Sequence, residues 1–184
     1  TEIYGGKVLH VVCDDVLLPN GEEAKREFCL HVGAVAVLPL LADGTVIVER
    51  QFRYPHGAVV LEIPAGKLHY GEDPLECGKR ELEEETGYKA EKLISYGQMY
   101  PTCGYSDEII YLYVAEGLSK TNRHLDEDEV IDVEYIDIEK IYSEFLTELG
   151  CYILKLSNKE IPIEKTLRAA KVIKKEINEY SSEQ

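Results

Sequence analysis

The sequence predicts a single α+β domain, because its first half is strand-like, one helix and further strands follow, and two helices close the chain. Three observations carry this prediction: short apolar or β-branched runs separated by hairpin-type turns, one helix with clear boundary signals, and an amphipathic helix near the C-terminus. A length of 184 residues is within the size of one domain. Without a linker or an internal repeat, we expect one domain over residues 1–184, with residues 1–30 as an N-terminal antiparallel β arm.

The strands are predicted from apolar runs and turn residues. In the β arm, Lys7–Leu17 and Lys25–Leu30 flank Asn20-Gly21, a strong hairpin signal. Ala34–Leu40 is nearly continuously apolar, as in a buried strand, and Asp43-Gly44 predicts a second hairpin that returns through the segment TVIVERQF. That returning strand and the remaining ones are predicted at Thr45–Phe52, Val59–Ile63, Lys92–Gln98, Ile109–Ala115 and Val130–Ile136.

The central helix has the clearest boundaries. Asp73 is a good N-cap, Pro74 suits the first helical position, and Glu76 completes a capping-box arrangement. Gly87 predicts the C-terminal end. Two further helices are predicted near Asp137–Leu149 and Ile163–Glu179.

The charge balance limits the classes of partner. The chain has 35 acidic and 20 basic residues, a formal net charge of −15. Such a surface repels phosphate backbones and anionic lipids, so we expect neither nucleic acid nor a membrane as the main partner. An anionic substrate would need a cation to bridge it to this protein.

Targeting signals and cysteine spacing indicate the compartment. No apolar run approaches the roughly 20 residues of a membrane span, and the segment TEIYGGKVLH lacks the features of a secretory signal. The five cysteines form no CxxC pair or zinc-type cluster. We therefore expect free thiols and a cytoplasmic location.

Three glutamates share one arc of the central helix. On a helical wheel at about 100° per residue, Glu81, Glu84 and Glu85 lie beside the apolar face, and Glu83 lies on the opposite flank. Like charges at these spacings destabilise a helix unless a counter-charge is present. A hard divalent cation such as Mg²⁺ is one such counter-charge. The alternative is a solvated acidic face on which Lys79 and Arg80 are the surface partners. Helical periodicity does not favour either the cation site or the solvated face.

The segment GKLHYGEDPLECGKRELEEETGY resembles the Nudix box, G-x5-E-x7-R-E-U-x-E-E-x-G-U, where U is a bulky apolar residue. Tyr88 is the one loose fit, at the final apolar position. The matching residues are Gly66, Glu72, Arg80, Glu81, Leu82, Glu84, Glu85 and Gly87. The resemblance implies the Nudix fold, a mixed β-sheet sandwiched between α-helices with a loop–helix–loop box. It also implies hydrolysis of a nucleoside diphosphate linked to another group.

The resemblance assigns roles to the box residues. Glu81 and Glu85 would be the main ligands of Mg²⁺, with Mn²⁺ possible. The metal site would also draw on the backbone carbonyl of Ala65 and on Glu84, which counts among the catalytic residues. Arg80 would orient the glutamates by ion pairing. In the same family pattern, Glu72 would brace the loop before the helix or lie near the metals. Gly66 would permit the backbone to come close to the metal.

Segments outside the box resemble the ADP-ribose pyrophosphatases of this family. Residues 49–54 and 61–66 match the subgroup's "Q-Y/F-R … E-x-P-A-G" stretch, which implies that Arg53 contacts the pyrophosphate and Glu62 lines the pocket. Arg50 of this stretch is a further predicted substrate contact. The loop at residues 100–108 resembles the subgroup's substrate loop, although Cys103 replaces a usual proline. The predicted reaction is hydrolysis of ADP-ribose to AMP and ribose 5-phosphate.

The remaining expectations also follow from this resemblance. Glu129, with Glu127 second, would be the mobile general base of an acidic loop, and Tyr4 and Phe28 would stack on adenine. Relatives in the subgroup usually form homodimers through an exchanged N-terminal region, which the β arm could supply. Two alternatives stay open: the same chemistry on a nucleotide sugar or dinucleotide, and a domain that senses a nucleotide without cutting it.

Overall fold

The computed structural model of the chain describes residues 1–125 and 129–140. Internal contacts divide the chain into two compact units, Thr1–Tyr135 and Ile136–Gln184, and of the second unit only residues 136–140 are described. The single domain over residues 1–184 therefore stays a prediction. Of the helix predicted near Asp137–Leu149, only residues 137–140 are described, and 138–140 are helical; the rest of it and the helix predicted near Ile163–Glu179 lie outside the described residues.

An N-terminal antiparallel sheet forms the predicted β arm. Its strands are β1 (Glu2–Gly5), β2 (His10–Leu17) and β3 (Glu23–Leu30), and β2 lies between the other two. The sequence prediction of one strand from Lys7 onward was wrong at its start, because the chain turns there: the Gly6 amide donates to the Leu9 carbonyl over 2.8 Å. The consecutive glycines before this turn are the signal that was missed.

The rest of the described chain holds nine further strands, one 3-10 helix and one complete α-helix, and residues 138–140 are also helical. The strands are β4 (Ala34–Pro39), β5 (Thr45–Arg53), β6 (Ala58–Glu62), β7 (Ala65–Lys67), β8 (Tyr88–Lys89), β9 (Lys92–Met99), β10 (Ile110–Glu116), β11 (Ser119–Lys120) and β12 (Ile131–Asp137). The 3-10 helix spans Tyr54–His56, and α1 spans Pro74–Thr86. Within the described chain, no helix is long and apolar enough to span a bilayer.

A mixed sheet in the order β7-β4-β10-β9 lies at the centre. Strand β4 runs parallel to β10 and antiparallel to β7, while β10 and β9 are antiparallel. Strand β4 is almost entirely buried, as its continuous apolar run predicts. The α+β class and the mixed sheet are confirmed.

The predicted hairpin between β4 and β5 forms only at its turn. The Leu41 amide donates to the Thr45 carbonyl over 2.8 Å, and Leu40 forms a single bridge with Val46. Beyond that bridge the strands enter different sheets, because β5 lies in a three-stranded sheet of order β12-β5-β6. The hairpin prediction was therefore wrong, since both edges of β4 are paired with β7 and β10.

Helix α1 packs against the central sheet at the boundaries that the sequence predicts. The Asp73 side chain accepts hydrogen bonds from the amides of Leu75 and Glu76, and Gly87 ends the helix at a φ of 71°. The Glu76 carboxylate is paired with Lys79 over 2.6 Å. The apolar contact includes Val37, Leu82 and Ala115, all fully buried. This packing fixes the rotation of α1, and with it the direction of its glutamates.

Candidate active site

The helix buries two of its three clustered glutamates. Glu81 and Glu85 are only 9% and 4% exposed, whereas Glu84 is half-buried. Glu83 lies apart from them and pairs with Lys89 over 3.1 Å. The helical wheel therefore separated Glu83 from the other three carboxylates, as the structure does. A fully solvated acidic face is excluded, because two of the three carboxylates lie in the interior.

The loop before α1 approaches these carboxylates closely. A methyl group built on Gly66 would lie 2.0 Å from the Cδ and Oε1 atoms of Glu81, so any larger residue would have to displace that side chain. The Ala65 amide donates to Glu85 Oε2 over 2.9 Å. The role of Ala65 as a metal ligand through its carbonyl stays a prediction, and the contact seen here is made by its N–H group.

Arg80 ties the loop to the helix. Its guanidinium binds both carboxylate oxygens of Glu72, at 2.9 and 3.0 Å, and also donates to Glu81 at 2.7 Å and Glu84 at 3.0 Å. The hydrogen bond from Arg80 is the main reason that the pKa of Glu72 falls to about 2. These carboxylates in turn raise the pKa of Arg80 above its ordinary value. Arg80 thus contacts three of the box glutamates, and its orienting role stays a prediction.

Glu49 is a site residue that the sequence analysis missed. It lies on β5, is 3% exposed, and its carboxyl is in hydrogen-bonding contact with that of Glu85. Burial is the main cause that raises the pKa of both groups, and their mutual repulsion raises that of Glu85 further. Burial also raises the pKa of Glu81. The available signal was one acidic residue after the buried run Val46–Val48.

Strand alternation brings Arg53 to the same face of β5 as Glu49. Its guanidinium binds both carboxylate oxygens of Glu62 on β6, at 2.8 and 2.7 Å. The hydrogen bond with Glu62 is the main cause that raises the pKa of Arg53, and Glu85 and Glu129 contribute. Arg50 points to the opposite face, where it pairs with Glu134 on β12. The structure thus brings Arg53 and Glu62 to the buried carboxylates, and does not bring Arg50 there.

Glu129 belongs to the same electrostatic cluster. Its charge contributes to the raised pKa of Glu49, Glu81 and Glu85, so its carboxylate lies within electrostatic range of all three. Glu127, the second candidate for the general base, lies outside the described residues.

The two residues predicted to stack on adenine lie in the N-terminal sheet. Tyr4 is 57% exposed on β1, and Phe28 is half-buried on β3. Strand β3 is joined to the loop of exposed Cys103 by a hydrogen bond from the Cys29 amide to the Tyr105 carbonyl, 2.8 Å long. This contact links the β arm to the loop that resembles the subgroup's substrate loop.

The donor set suits a hard divalent cation. Oxygen atoms of carboxylates are the ligands that Mg²⁺ prefers, and the repulsion that Glu49 and Glu81 exert on Glu85 is relieved by protons or by a cation. Among residues 1–125 and 129–140, no three His, Cys, Asp or Glu side chains are grouped to hold a metal ion. One or two carboxylates, completed by water and substrate phosphate, are sufficient for Mg²⁺.

Comparison with known proteins agrees with this geometry. A family model described as the NUDIX domain matches residues 30–150. An ADP-ribose pyrophosphatase of Bacillus subtilis (strain 168) is 46% identical over 140 residues, 75% of this chain and 76% of the relative. A methanol dehydrogenase activator of Bacillus methanolicus is 43% identical over 152 residues, 77% and 82% of the two chains. A solved ADP compounds hydrolase shares the fold, with a TM-score of 0.69 at 18% identity, covering 98% of this chain and 92% of that chain. The chain therefore belongs to the Nudix hydrolase family.

Proposed function

We propose that this protein hydrolyses the pyrophosphate bond of ADP-ribose and releases AMP and ribose 5-phosphate. The observation that carries the proposal is the burial of Glu81 and Glu85 on α1, with the Arg53 guanidinium within electrostatic range of Glu85. Buried carboxylates hold cations, and a planar guanidinium binds phosphate. The Bacillus subtilis relative, an ADP-ribose pyrophosphatase, supports the choice of substrate.

Mg²⁺ is the proposed cofactor, and Mn²⁺ is a possible substitute. Glu81 and Glu85 would hold it together with Glu84 and the Ala65 carbonyl. When bound, such cations neutralise the diphosphate and lower the pKa of a coordinated water. Arg80 would keep Glu81 and Glu84 in position through the contacts described above.

Arg53 and Glu129 are the proposed groups that act on the substrate and on water. The Arg53 guanidinium would bind the diphosphate, and its pairing with Glu62 holds it in a defined orientation before substrate arrives. Glu129 would accept the proton of the attacking water, with Glu127 as the second candidate. Arg50 is kept as a proposed substrate contact, although in this structure it faces the other side of β5.

The same chemistry on another nucleoside diphosphate derivative is the second candidate. Cys103 is exposed in the loop where the resemblance predicts substrate contacts, and it stands where the subgroup usually carries proline. A nucleotide sugar or a dinucleotide is therefore included in the test below. Retention of the whole glutamate set of the box favours turnover over a sensor that binds without cutting.

A cytoplasmic homodimer is the proposed form of the protein. The N-terminal sheet and the segments beside it expose apolar side chains, which supports an interface between two copies. The residues concerned are Ile3, Tyr4, Val8, Leu9, Leu30 and Val32. Tyr4 and Phe28 would then contact adenine at the edge of this interface.

The test is product formation with Mg²⁺ from ADP-ribose, ADP-glucose, NADH and diadenosine polyphosphates. We expect the highest kcat/KM for ADP-ribose, with AMP and ribose 5-phosphate in equal amounts and no turnover after chelation of the metal. Turnover of another compound alone would keep the chemistry and replace the substrate. Binding of ADP-ribose without turnover of any compound would contradict the enzyme and favour the sensor.

A further inference from the structure

The carboxylate of Glu49 is buried without full compensation. The residue is 3% exposed, and its Oε1 atom has no hydrogen-bond partner among the described residues. Buried polar atoms are almost always hydrogen-bonded, and buried charges are almost always paired or bound to a metal. The environment of Glu49 therefore calls for a positively charged or proton-donating partner.

The groups around Glu49 are mostly acidic. In the register of β5 and β6, Glu49 stands directly opposite Glu62, a position where like charges repel. Glu85 is in hydrogen-bonding contact with Glu49 from α1, and Glu129 adds a further negative charge. Glu49 thus has three acidic neighbours, Glu62, Glu85 and Glu129.

Within the part of the chain that the structure describes, the neighbouring arginines leave Glu49 without a direct ion pair. Arg53 commits its guanidinium to both oxygens of Glu62. Arg123 attracts Glu49 electrostatically. However, one of its terminal nitrogens donates a hydrogen bond to the Ile131 carbonyl over 2.6 Å. Its buried Nε atom has no hydrogen-bond partner among the described residues. Neither guanidinium satisfies the Oε1 atom of Glu49.

Arg80 compensates the other carboxylates of the site. It donates to Glu81 and Glu84, so both already have a cationic partner. Glu85 accepts a hydrogen bond from the Ala65 amide at its Oε2 atom, and among the described residues no cation pairs with it. The uncompensated charge of the site therefore lies between α1 and β5, and not along α1 alone.

We propose that Glu49 is an additional ligand of the divalent cation and binds it together with Glu85. This inference rests on the proposed metal-dependent function and adds a ligand from β5 that the box motif does not contain. Two carboxylates in contact, one of them with an oxygen atom that has no hydrogen-bond partner among the described residues, suit a cation that completes its shell with water and substrate phosphate.

The test is direct measurement of Mn²⁺ binding to the full-length protein by electron paramagnetic resonance, compared between the wild type and Glu49→Gln. Glutamine keeps the shape of the side chain and removes its charge. We expect the dissociation constant of Mn²⁺ to rise at least about tenfold. Glu83→Gln is the matched control on α1, because Glu83 pairs with Lys89 outside the site, and its Mn²⁺ affinity is expected to equal that of the wild type.

Several results would overturn the inference. Unchanged Mn²⁺ affinity in Glu49→Gln would do so. If the metal-free variant also has a lower melting temperature, Glu49 would only balance the charge of Arg123. If Glu49→Gln does not fold, Glu49→Ala removes the carboxylate altogether, and unchanged affinity in that variant has the same meaning.

Measurement of ADP-ribose hydrolysis distinguishes failure of this inference from failure of the proposed function. A wild type that hydrolyses ADP-ribose with Mg²⁺, beside a Glu49→Gln variant that binds Mn²⁺ normally, contradicts the role of Glu49 alone. A wild type that neither binds Mn²⁺ nor hydrolyses ADP-ribose contradicts both. Loss of Mn²⁺ affinity in Glu49→Gln, with the melting temperature of the metal-free protein maintained, supports the ligand role.

Discussion

The absence of a side chain at Gly66 lets the Glu81 carboxyl lie close to the backbone there. A Cβ atom at position 66 would lie 2.0 Å from the Glu81 carboxyl, so Gly66→Ala must displace that flexible side chain. We expect a modest loss of stability, about 1–3 kcal/mol, and a fall in kcat/KM of at least about a hundredfold, because a shift of about 1 Å at a site has effects of that size. Steady-state kinetics and urea unfolding measure the two effects.

Gly44→Ala is the control for this prediction. Gly44 has a φ of 86° and nothing within 4 Å of an added Cβ. Its substitution by alanine therefore strains the backbone by about 1–2 kcal/mol, at a position far in sequence from the carboxylates of α1. We expect nearly unchanged kcat/KM. If Gly66→Ala and Gly44→Ala lose activity equally, the close approach at Gly66 does not position Glu81.

The pair of Glu72 and Arg80 predicts sensitivity to acid. The pKa of Glu72 in the folded protein lies near 2, below its ordinary value of 4.5, so the pair stabilises the fold above about pH 4.5, and this stabilisation disappears as the pH falls toward 2. In Glu72→Gln, the loss of unfolding free energy relative to the wild type should be largest at neutral pH and shrink in acid. Parallel urea-unfolding curves for the two proteins from neutral pH to about pH 3 would contradict the pairing.

The sequence predicted residues of α1 better than residues that meet across the fold. Glu81, Glu84 and Glu85 follow from helical periodicity, which depends only on the chain's own spacing. Glu49 was missed because its relation to Glu85 depends on how β5 packs against α1. Arg50 illustrates the same limit, since alternation along β5 places it opposite to Arg53, and only the structure shows which face meets the site.

At the scale of elements, the N-cap of α1 positions the helix that carries the glutamates. Asp73 accepts hydrogen bonds from the amides of Leu75 and Glu76. Asp73→Ala is expected to lower the free energy of unfolding by about 1 kcal/mol, whereas Asp73→Asn keeps a side-chain acceptor and should lose much less. Chemical denaturation of both variants tests this, and an equal loss in the two would show that the cap is not the cause.

Strand existence was easier to predict than strand pairing. The runs at β4 and β5 were identified, but the turn at Asp43-Gly44 indicated a hairpin where the strands separate into two sheets. Turn signals report the local chain path, whereas the partners of β4 are β7 and β10, which lie far away in sequence. Such pairing depends on burial of the whole sheet and cannot be taken from neighbouring residues.

At the scale of the whole molecule, cation binding should stabilise the fold more as the pH rises. The raised pKa values of Glu49, Glu81 and Glu85 mean that the metal-free protein is most stable when these groups are protonated, and loses stability as they ionise above their ordinary pKa. Mg²⁺ competes with those protons. The increase in melting temperature produced by Mg²⁺ should therefore be larger at about pH 8.5 than at about pH 5.5.

Differential scanning calorimetry with Mg²⁺ and with a chelator measures this dependence. Glu85→Gln, which removes one buried carboxylate, should reduce both the effect of Mg²⁺ and the loss of stability with rising pH. An equal effect of Mg²⁺ at both pH values would show that the cation binds elsewhere on this surface, whose formal net charge is −15.

The most direct test of the account is the rate of AMP release from ADP-ribose with Mg²⁺ by three proteins: the wild type, Glu85→Gln and Glu83→Gln. The two substitutions remove the same charge from the same helix, one at a buried carboxylate beside Glu49 and one at a carboxylate paired with Lys89. Metal binding by Glu85 predicts wild-type rates for Glu83→Gln and a loss of at least about a hundredfold for Glu85→Gln. Equal rates in the two variants, or no AMP release by the wild type, would contradict it.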